Sequence, residues 1–424
     1  MPIGFDTATS QWHLHNGRIS VVLCVLENGW LGQLHLGAPL PPGVSYRHLG
    51  PRPFHGFSNR VGEPVALEVP VRNGGDYRIP ALDVESPDGS RVLDLRYVDH
   101  DIESGKPDIP GLPSTYVEQD GEAETLSIRL RDGLTGLLVT TRTTLFADRP
   151  VIARSIVLEN TGGAPLIVRT AMSASIDLPD ANWDLTSLSG TWARERHLER
   201  GRLLPGRRSV GSVRGGSGHE HNPFLLVTRP ATTEASGEAL GVSLVYTGSF
   251  LAETEVDPLG TTRLRIGIHP ESFAWPLQPG MTFATPEAIV AWSGDGIGGV
   301  SDALHGLYRS RLARGPWRDR PRPVLLNSWE GVYMRFDEPA ILEMAGATAD
   351  LGIELFVLDD GWFGRRDDDH SSLGDWMVDR RKLPSGIDGL ARAVEAMGIR
   401  FGLWIEPEMV NDCLLYTSPS PRDS

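Results

Sequence analysis

Cysteine is nearly absent from this sequence. Cys24 and Cys413 are the only two in 424 residues, and their separation excludes both a disulfide framework and a thiolate zinc site. No Lys/Arg-rich run occurs and the formal net charge is -15, which argues against a nucleic-acid phosphate backbone or an anionic membrane as partner. No stretch approaches the roughly 20 apolar residues that a membrane-spanning helix requires. The opening MPIGFDTATSQW has neither a basic n-region nor an apolar h-region, so a cytoplasmic protein is the expectation. A Gly-rich phosphate cradle, a nucleophile elbow and a zinc-helix motif are missing too, and no cofactor is implied. A neutral small molecule is the ligand class that remains. Tryptophan is plentiful, eleven against eight Tyr. Indole faces are platforms for sugar C–H surfaces, although most Trp belong in a core.

Length sets the domain count at two or three. Residues 1–300 read as short β-compatible runs punctuated by Gly, Pro, Asn and Asp, such as TLSIRLRDG, TGLLVTTRTTLFADRP and TTRLRIGIH, the spacing of a large all-β sandwich. Within it, LENTGGAPLIV reads as a hairpin with positive φ in the Asn160–Gly163 loop. Gly201 to His221, rich in Gly, Arg and Ser, reads as a long surface loop. Residues 301–323 form a helical linker, apolar at Leu304, Leu307, Tyr308 and Leu312 and stopped by GPWRDRPRP.

From 324 to 411 the pattern becomes strand, helix, strand, helix, strand. The runs are VLLNSWEG, AILEMAGATADLG, IELFVLDDGW, DGLARAVEAMG and IRFGLWIEPEM. Asp337 suits an N-cap, Pro339 the first turn and Gly352 the helix end. Near-continuous apolar strands imply a parallel sheet covered on both faces, here about three units of an incomplete (β/α)8 barrel. Residues 412–424 carry a Ser/Pro tail without periodicity. It resembles translated cloning sequence, and a carboxy-terminally truncated product is expected.

In a βα barrel the carboxyl ends of the strands build the site. FVLDDGWFG places Asp359 and Asp360 at such an end, where two acceptor-only carboxylates can take hydrogen bonds from the hydroxyls of a polyol. The bland alternative is that one caps a turn and the other meets a nearby Arg. Trp362 and Phe363 would wall the same cleft with apolar surface. On a strand, alternation puts Trp404, Glu406 and Glu408 on one side. Trp404 reads as a ligand contact, whereas the glutamates orient partners or pair with basic groups. Trp329, on the first strand beside Glu330, also reads as a ligand contact. The Asp triplet before His370 lacks calcium-loop spacing, and no metal is expected. Gly374-Asp375-Trp376 is placed as a lid.

Together, LLNSWEGVYMRFDEPAIL, ELFVLDDGWFGRRDDDHSSLGDWMVDRRKLPSGIDGLA and FGLWIEPEMVN resemble the microbial α-galactosidases of glycoside hydrolase family 36. NGGDYRIPAL is similar to that family's Gly-Asp-Phe-Arg-x-Pro-Ala segment, with Tyr77 in place of the Phe. The resemblance implies an amino-terminal β-supersandwich, a (β/α)8 barrel and retaining hydrolysis of terminal α-1,6-linked galactose, as in melibiose and raffinose. It implies that Asp359 and Asp360 bind galactose hydroxyls, that Trp404 and Trp329 line the pocket and that Arg78 approaches it, from a neighbouring subunit of a tetramer. The family's nucleophile lies in a Lys-Trp-Asp-like context and its acid/base in a Ser-Asp-Asp-like one. Neither occurs here, so no catalytic residue is assigned and the chain alone is expected to be inactive. A non-catalytic galactoside-binding protein and a retaining α-glycosidase of different sugar specificity are the competing readings.

Overall fold

The computed structural model describes residues 3–50, 65–73 and 76–412. Cys413, the expected tail from 413 onward and Gly74-Gly75 of NGGDYRIPAL lie outside the described residues. The chain divides into two compact units between Arg314 and Gly315, and each is described by itself.

In the first unit the described strands form antiparallel sheets of four, six and ten strands. Alternation drives their packing: Leu137–Phe146, LLVTTRTTLF, buries Leu137 and Val139 and leaves Leu138 and Thr140 partly exposed, so one face enters the shared core. That core runs from Trp12 and Leu14 through Val139, Ile152, Val168 and Ile176 to Leu264 and Val290. The helix Gly296–Arg311 buries Val300, Ala303, Leu304 and Leu307, in one apolar cluster with Ile289 and Ala291 of the strand Glu287–Ser293. It therefore belongs to the first unit, and the linker expected over 301–323 is partly packed structure.

Two sequence-based expectations are corrected here. LENTGGAPLIV is not a hairpin: Val151–Asn160 pairs with Leu137–Phe146 and Glu287–Ser293 in one sheet, while Leu166–Leu178 pairs with Thr262–Ile268 in another. The connection is a corner between sheets. Asn160 holds it by donating from Nδ2 to the carbonyls of Ala164 and Leu277, both at 2.8 Å. Gly162 is needed for close approach rather than for positive φ, because a Cβ there would lie 2.1 Å from the Thr135 carbonyl oxygen. The supposed loop 201–221 contains the strand Gly206–Ser212, paired with Phe250–Val256. Just before it, the edge strand Arg194–Arg202 pairs with Asp184–Thr191. Backbone pairing does not require apolar side chains, and these strands keep theirs largely exposed, so no alternation marks them.

The first unit also buries charge. Arg263, 1% exposed, meets Asp76 at 2.6 Å and Asp177 at 2.8 Å, and Arg78 joins the same two carboxylates. Burial pushes the Asp76 carboxyl up, but Arg263 and Arg78 outweigh that and hold it below its ordinary value.

The second unit carries three parallel strands, with Leu355–Leu358 between Leu325–Asn327 and Arg400–Leu403. Asp337 caps the helix Glu338–Asp350 by accepting from Ala340 N at 3.0 Å, with Pro339 in the first turn; Gly352 follows at φ 74°. A second helix spans Gly386–Glu395. Ile341, Phe356, Leu358, Leu390 and Val394 close the core between sheet and helices. The outer strands are less covered than the sequence suggests: Leu325 is 50% exposed. No helix among the described residues is long and apolar enough to cross a membrane.

Arg263→Ala leaves two carboxylates buried without their main cation and should cost about 3–5 kcal/mol of stability, read from the denaturant midpoint; a loss below about 1 kcal/mol contradicts this. A pH effect follows from His13 in the four-stranded sheet. Burial, then the neighbouring His15 and His35, lower it from 6.5 to about 4, so it is neutral in the fold while the unfolded chain binds a proton. Stability should therefore fall as pH drops from about 6.5 towards 4, and His13→Gln should flatten that part of the unfolding profile.

Candidate functional site

The central strand ends at Leu358, and the next residues leave the alternation of the sheet. Asp359 turns towards the end of the first parallel strand. Its Oδ2 accepts from Asn327 Nδ2, its Oδ1 from Asp360 N at 2.7 Å, and its own N–H donates to Ser328 Oγ at 3.0 Å. Asp360 turns towards the following loop. Its Oδ1 accepts from Gly361 N at 2.6 Å, and Arg366 grips both oxygens, with Nε at 3.1 Å from each and Nη2 at 2.9 Å from Oδ2. Both carboxylates are nearly buried, at 9% and 5% exposure. The strand end thus separates them between two different neighbours.

Acceptor capacity differs accordingly. An ionised carboxylate offers about four lone-pair sites. Among the described residues, two donors meet Asp359, whereas Asp360 is almost fully engaged. Of the bland alternative, the ion pair with a nearby Arg is present at Asp360, which Arg366 meets at 2.9 Å.

Trp404 and Trp329 flank this strand end. Trp404 follows the last parallel strand, its N–H donating to Leu358 O at 2.9 Å, and its carbonyl accepts from Trp362 Nε1 at 2.9 Å. Trp329 is not on a strand: it opens a short helix, Trp329–Val332. Asn327 bonds both the Asp359 carboxylate and Trp329 N, the latter at 2.7 Å. Each Trp is half-buried.

Other expected residues sit elsewhere. Trp362 and Phe363, expected as a cleft wall, are 4% and 0% exposed and belong to the core. The turn after Asp360, with Gly361 at φ 96°, folds them back beneath it. Trp376, placed as a lid, packs on Phe363 with ring centroids 4.5 Å apart and lies 6.4 Å from Trp404. Glu406 and Glu408 lie beyond the last strand rather than on it. Burial, then Glu408 and Asp360, push the Glu406 carboxyl up against the opposing pull of Arg366.

Arg78 lies in the first unit. Its guanidinium bonds Asp76, Asp177, Thr261 Oγ1 and the Val65 carbonyl, all within the first unit, because a buried cation requires those acceptors. Between the inward Asp76 and Arg78, Tyr77 stands 78% exposed. No group of three or more His, Cys, Asp or Glu among the described residues is placed to hold a metal. Three residues escaped sequence reading. Asn327 hides in a strand end, while Arg366 and Lys382 lie in charged runs that look like solvated surface. The one signal was the pair Arg365-Arg366 directly before the Asp triplet.

Comparison with known proteins bears on this geometry. A family model described as the glycosyl hydrolase family 36 N-terminal domain matches residues 29–278, and one described as melibiase matches 282–419. The chain is 46% identical over 419 residues to alpha-galactosidase AgaA of Geobacillus stearothermophilus, covering 97% of this chain and 57% of that protein. Alpha-galactosidase Mel36A of Lactobacillus acidophilus is 38% identical, with 96% and 57% covered. The crystal structure of AgaA superposes with a TM-score of 0.92 over 96% of this chain and 57% of that one. A variant of AgaA has been solved in complex with raffinose and another with stachyose. The chain thus spans little more than half the length of the relatives it matches. Its architecture is theirs over that length, a β-supersandwich followed by the first part of a (β/α)8 barrel. The chain belongs to glycosyl hydrolase family 36.

Proposed function

We propose that this chain carries the sugar-holding part of a retaining α-galactosidase, with Asp359, Asp360, Trp404 and Trp329 as galactose contacts. The observation that carries the reading is Asp359: a nearly buried carboxylate at the end of the central parallel strand, positioned by Asn327 and Ser328, with about half of its acceptor capacity unused. Sugar hydroxyls are the donors that suit such a group, and a half-buried indole nearby suits the apolar face of a pyranose. The AgaA complexes with raffinose and stachyose support α-galactosyl oligosaccharides as the substrate class. Melibiose falls within it.

Retaining hydrolysis needs two carboxyls about 5 Å apart, one attacking the anomeric carbon and one protonating the leaving oxygen. Asp359 and Asp360 are adjacent in sequence and bound to different neighbours, so they do not make that pair. The nucleophile and the acid/base belong to strands beyond these 424 residues, and the chain alone does not turn over substrate. The full-length protein assembles as a homo-oligomer, with a tetramer as the form to look for by light scattering.

Two measurements test this reading. The 424-residue chain should bind galactose in preference to glucose, and Asp359→Ala should weaken binding by about 1.5–3 kcal/mol, roughly ten- to a hundredfold, since a hydrogen bond to a charged group is lost. Turnover of p-nitrophenyl α-galactoside should not exceed that of the doubly substituted Asp359→Ala, Asp360→Ala chain. Clear turnover by the unaltered chain would refute its inactivity. Preference for glucose would favour a related α-glycosidase.

A further inference from the structure

Arg366 is buried, 4% exposed, in a loop whose neighbours Arg365 and Asp367–His370 are exposed. A guanidinium is drawn into such a position only when acceptors surround it. Asp360 supplies both carboxylate oxygens, and Nη1 donates to the Ser371 carbonyl at 2.9 Å and lies 3.5 Å from Asn411 Oδ1. The backbone on either side of the pair is clamped by one ammonium. Lys382 Nζ donates to the carbonyls of Gly361 at 3.0 Å, Arg366 at 2.9 Å and Met334 at 2.9 Å, and pairs with Asp367 at 3.0 Å. The turn after Asp360 and the residue that grips Asp360 are therefore tied to a single point.

We infer that Arg366 is a positioning residue for sugar binding: its two-point contact sets the plane of the Asp360 carboxylate, and Lys382 holds the two backbone segments that bring them together. The inference rests on the sugar-binding reading above. A carboxylate bonded through both oxygens to a planar fork cannot rotate freely, so its remaining lone-pair direction is fixed before a ligand arrives and little ordering is needed on binding. Charge alone does not achieve this. A lysine in place of Arg366 would keep the cation but offer a point charge on a flexible stem. Arg366 also offsets the negative charge that Glu406 places near Asp360, which Lys would do as well. The two substitutions therefore separate orientation from neutralisation.

The test is galactose affinity of the 424-residue chain, followed by calorimetry, with near-ultraviolet circular dichroism to confirm an intact fold. Arg366→Met should weaken binding about tenfold, and Arg366→Lys should recover less than about a third of that loss on a logarithmic scale. In the Asp360→Ala background, Arg366→Met should cost nothing further, because the two act as one unit. The amide of Gly361, which donates to Asp360 Oδ1 at 2.6 Å, should exchange with solvent about tenfold faster in Arg366→Met, a readout that needs no sugar. Full recovery by Arg366→Lys, additive losses in the double variant or an unchanged Gly361 exchange rate would each overturn the positioning role. Galactose binding that is insensitive to Asp360→Ala would instead overturn the sugar-binding reading, and this role with it.

Discussion

The Asp360 carboxylate is buried where an apolar strand ends, and it persists there because Arg366 meets both its oxygens at hydrogen-bond distance. Without a partner, an ionised group in that position would cost several kcal/mol. Much of the second unit's local arrangement follows from this contact. The loop after Gly361 must double back to deliver Arg366, Lys382 must close the loop on its carbonyls, and Trp362 and Phe363 are drawn into the core as the chain turns. The same contact uses most of Asp360's acceptor capacity, which leaves Asp359 as the carboxylate with more to offer a ligand.

The two units handle buried charge by the same rule. In the sandwich, Arg263 and Arg78 share Asp76 and Asp177; at the barrel strand end, Arg366 takes Asp360. In each case arginine rather than lysine makes the multidentate contact, as its fixed fork favours. Lys382, by contrast, points its three donors at carbonyls converging from different segments, a geometry suited to a compact ammonium. The difference matters for function. A fork fixes the plane of an acceptor, whereas an ammonium fixes only the position of a backbone.

Legibility in the sequence followed the physics of each element. Strands with one face in the core announced themselves by alternation, as in LLVTTRTTLF, and the helix after Asp337 by its cap, its proline and its closing glycine. Strands whose side chains remain in solvent, such as Gly206–Ser212, did not, because only their backbone pairing defines them. The corner at Asn160–Gly163 looked like a hairpin because Asn and Gly serve tight turns of either kind. Which sheet each flanking strand joins depends on distant partners, as far as 140 residues away for Val151–Asn160 with Glu287–Ser293 and 95 for Leu166–Leu178 with Thr262–Ile268.

The sequence by itself determined that a parallel strand ends in two carboxylates, that an indole follows the next strand and that an all-β unit precedes them, since period, polarity and turn residues are local properties. Only the tertiary structure decided what each carboxylate faces. Asn327 is 32 residues before Asp359 and Trp404 is 42 after Trp362, and even Arg366, six residues from Asp360, reaches it only because a loop held by Lys382 turns back. Those pairings depend on how the chain packs in three dimensions, and no local pattern of residues encodes them.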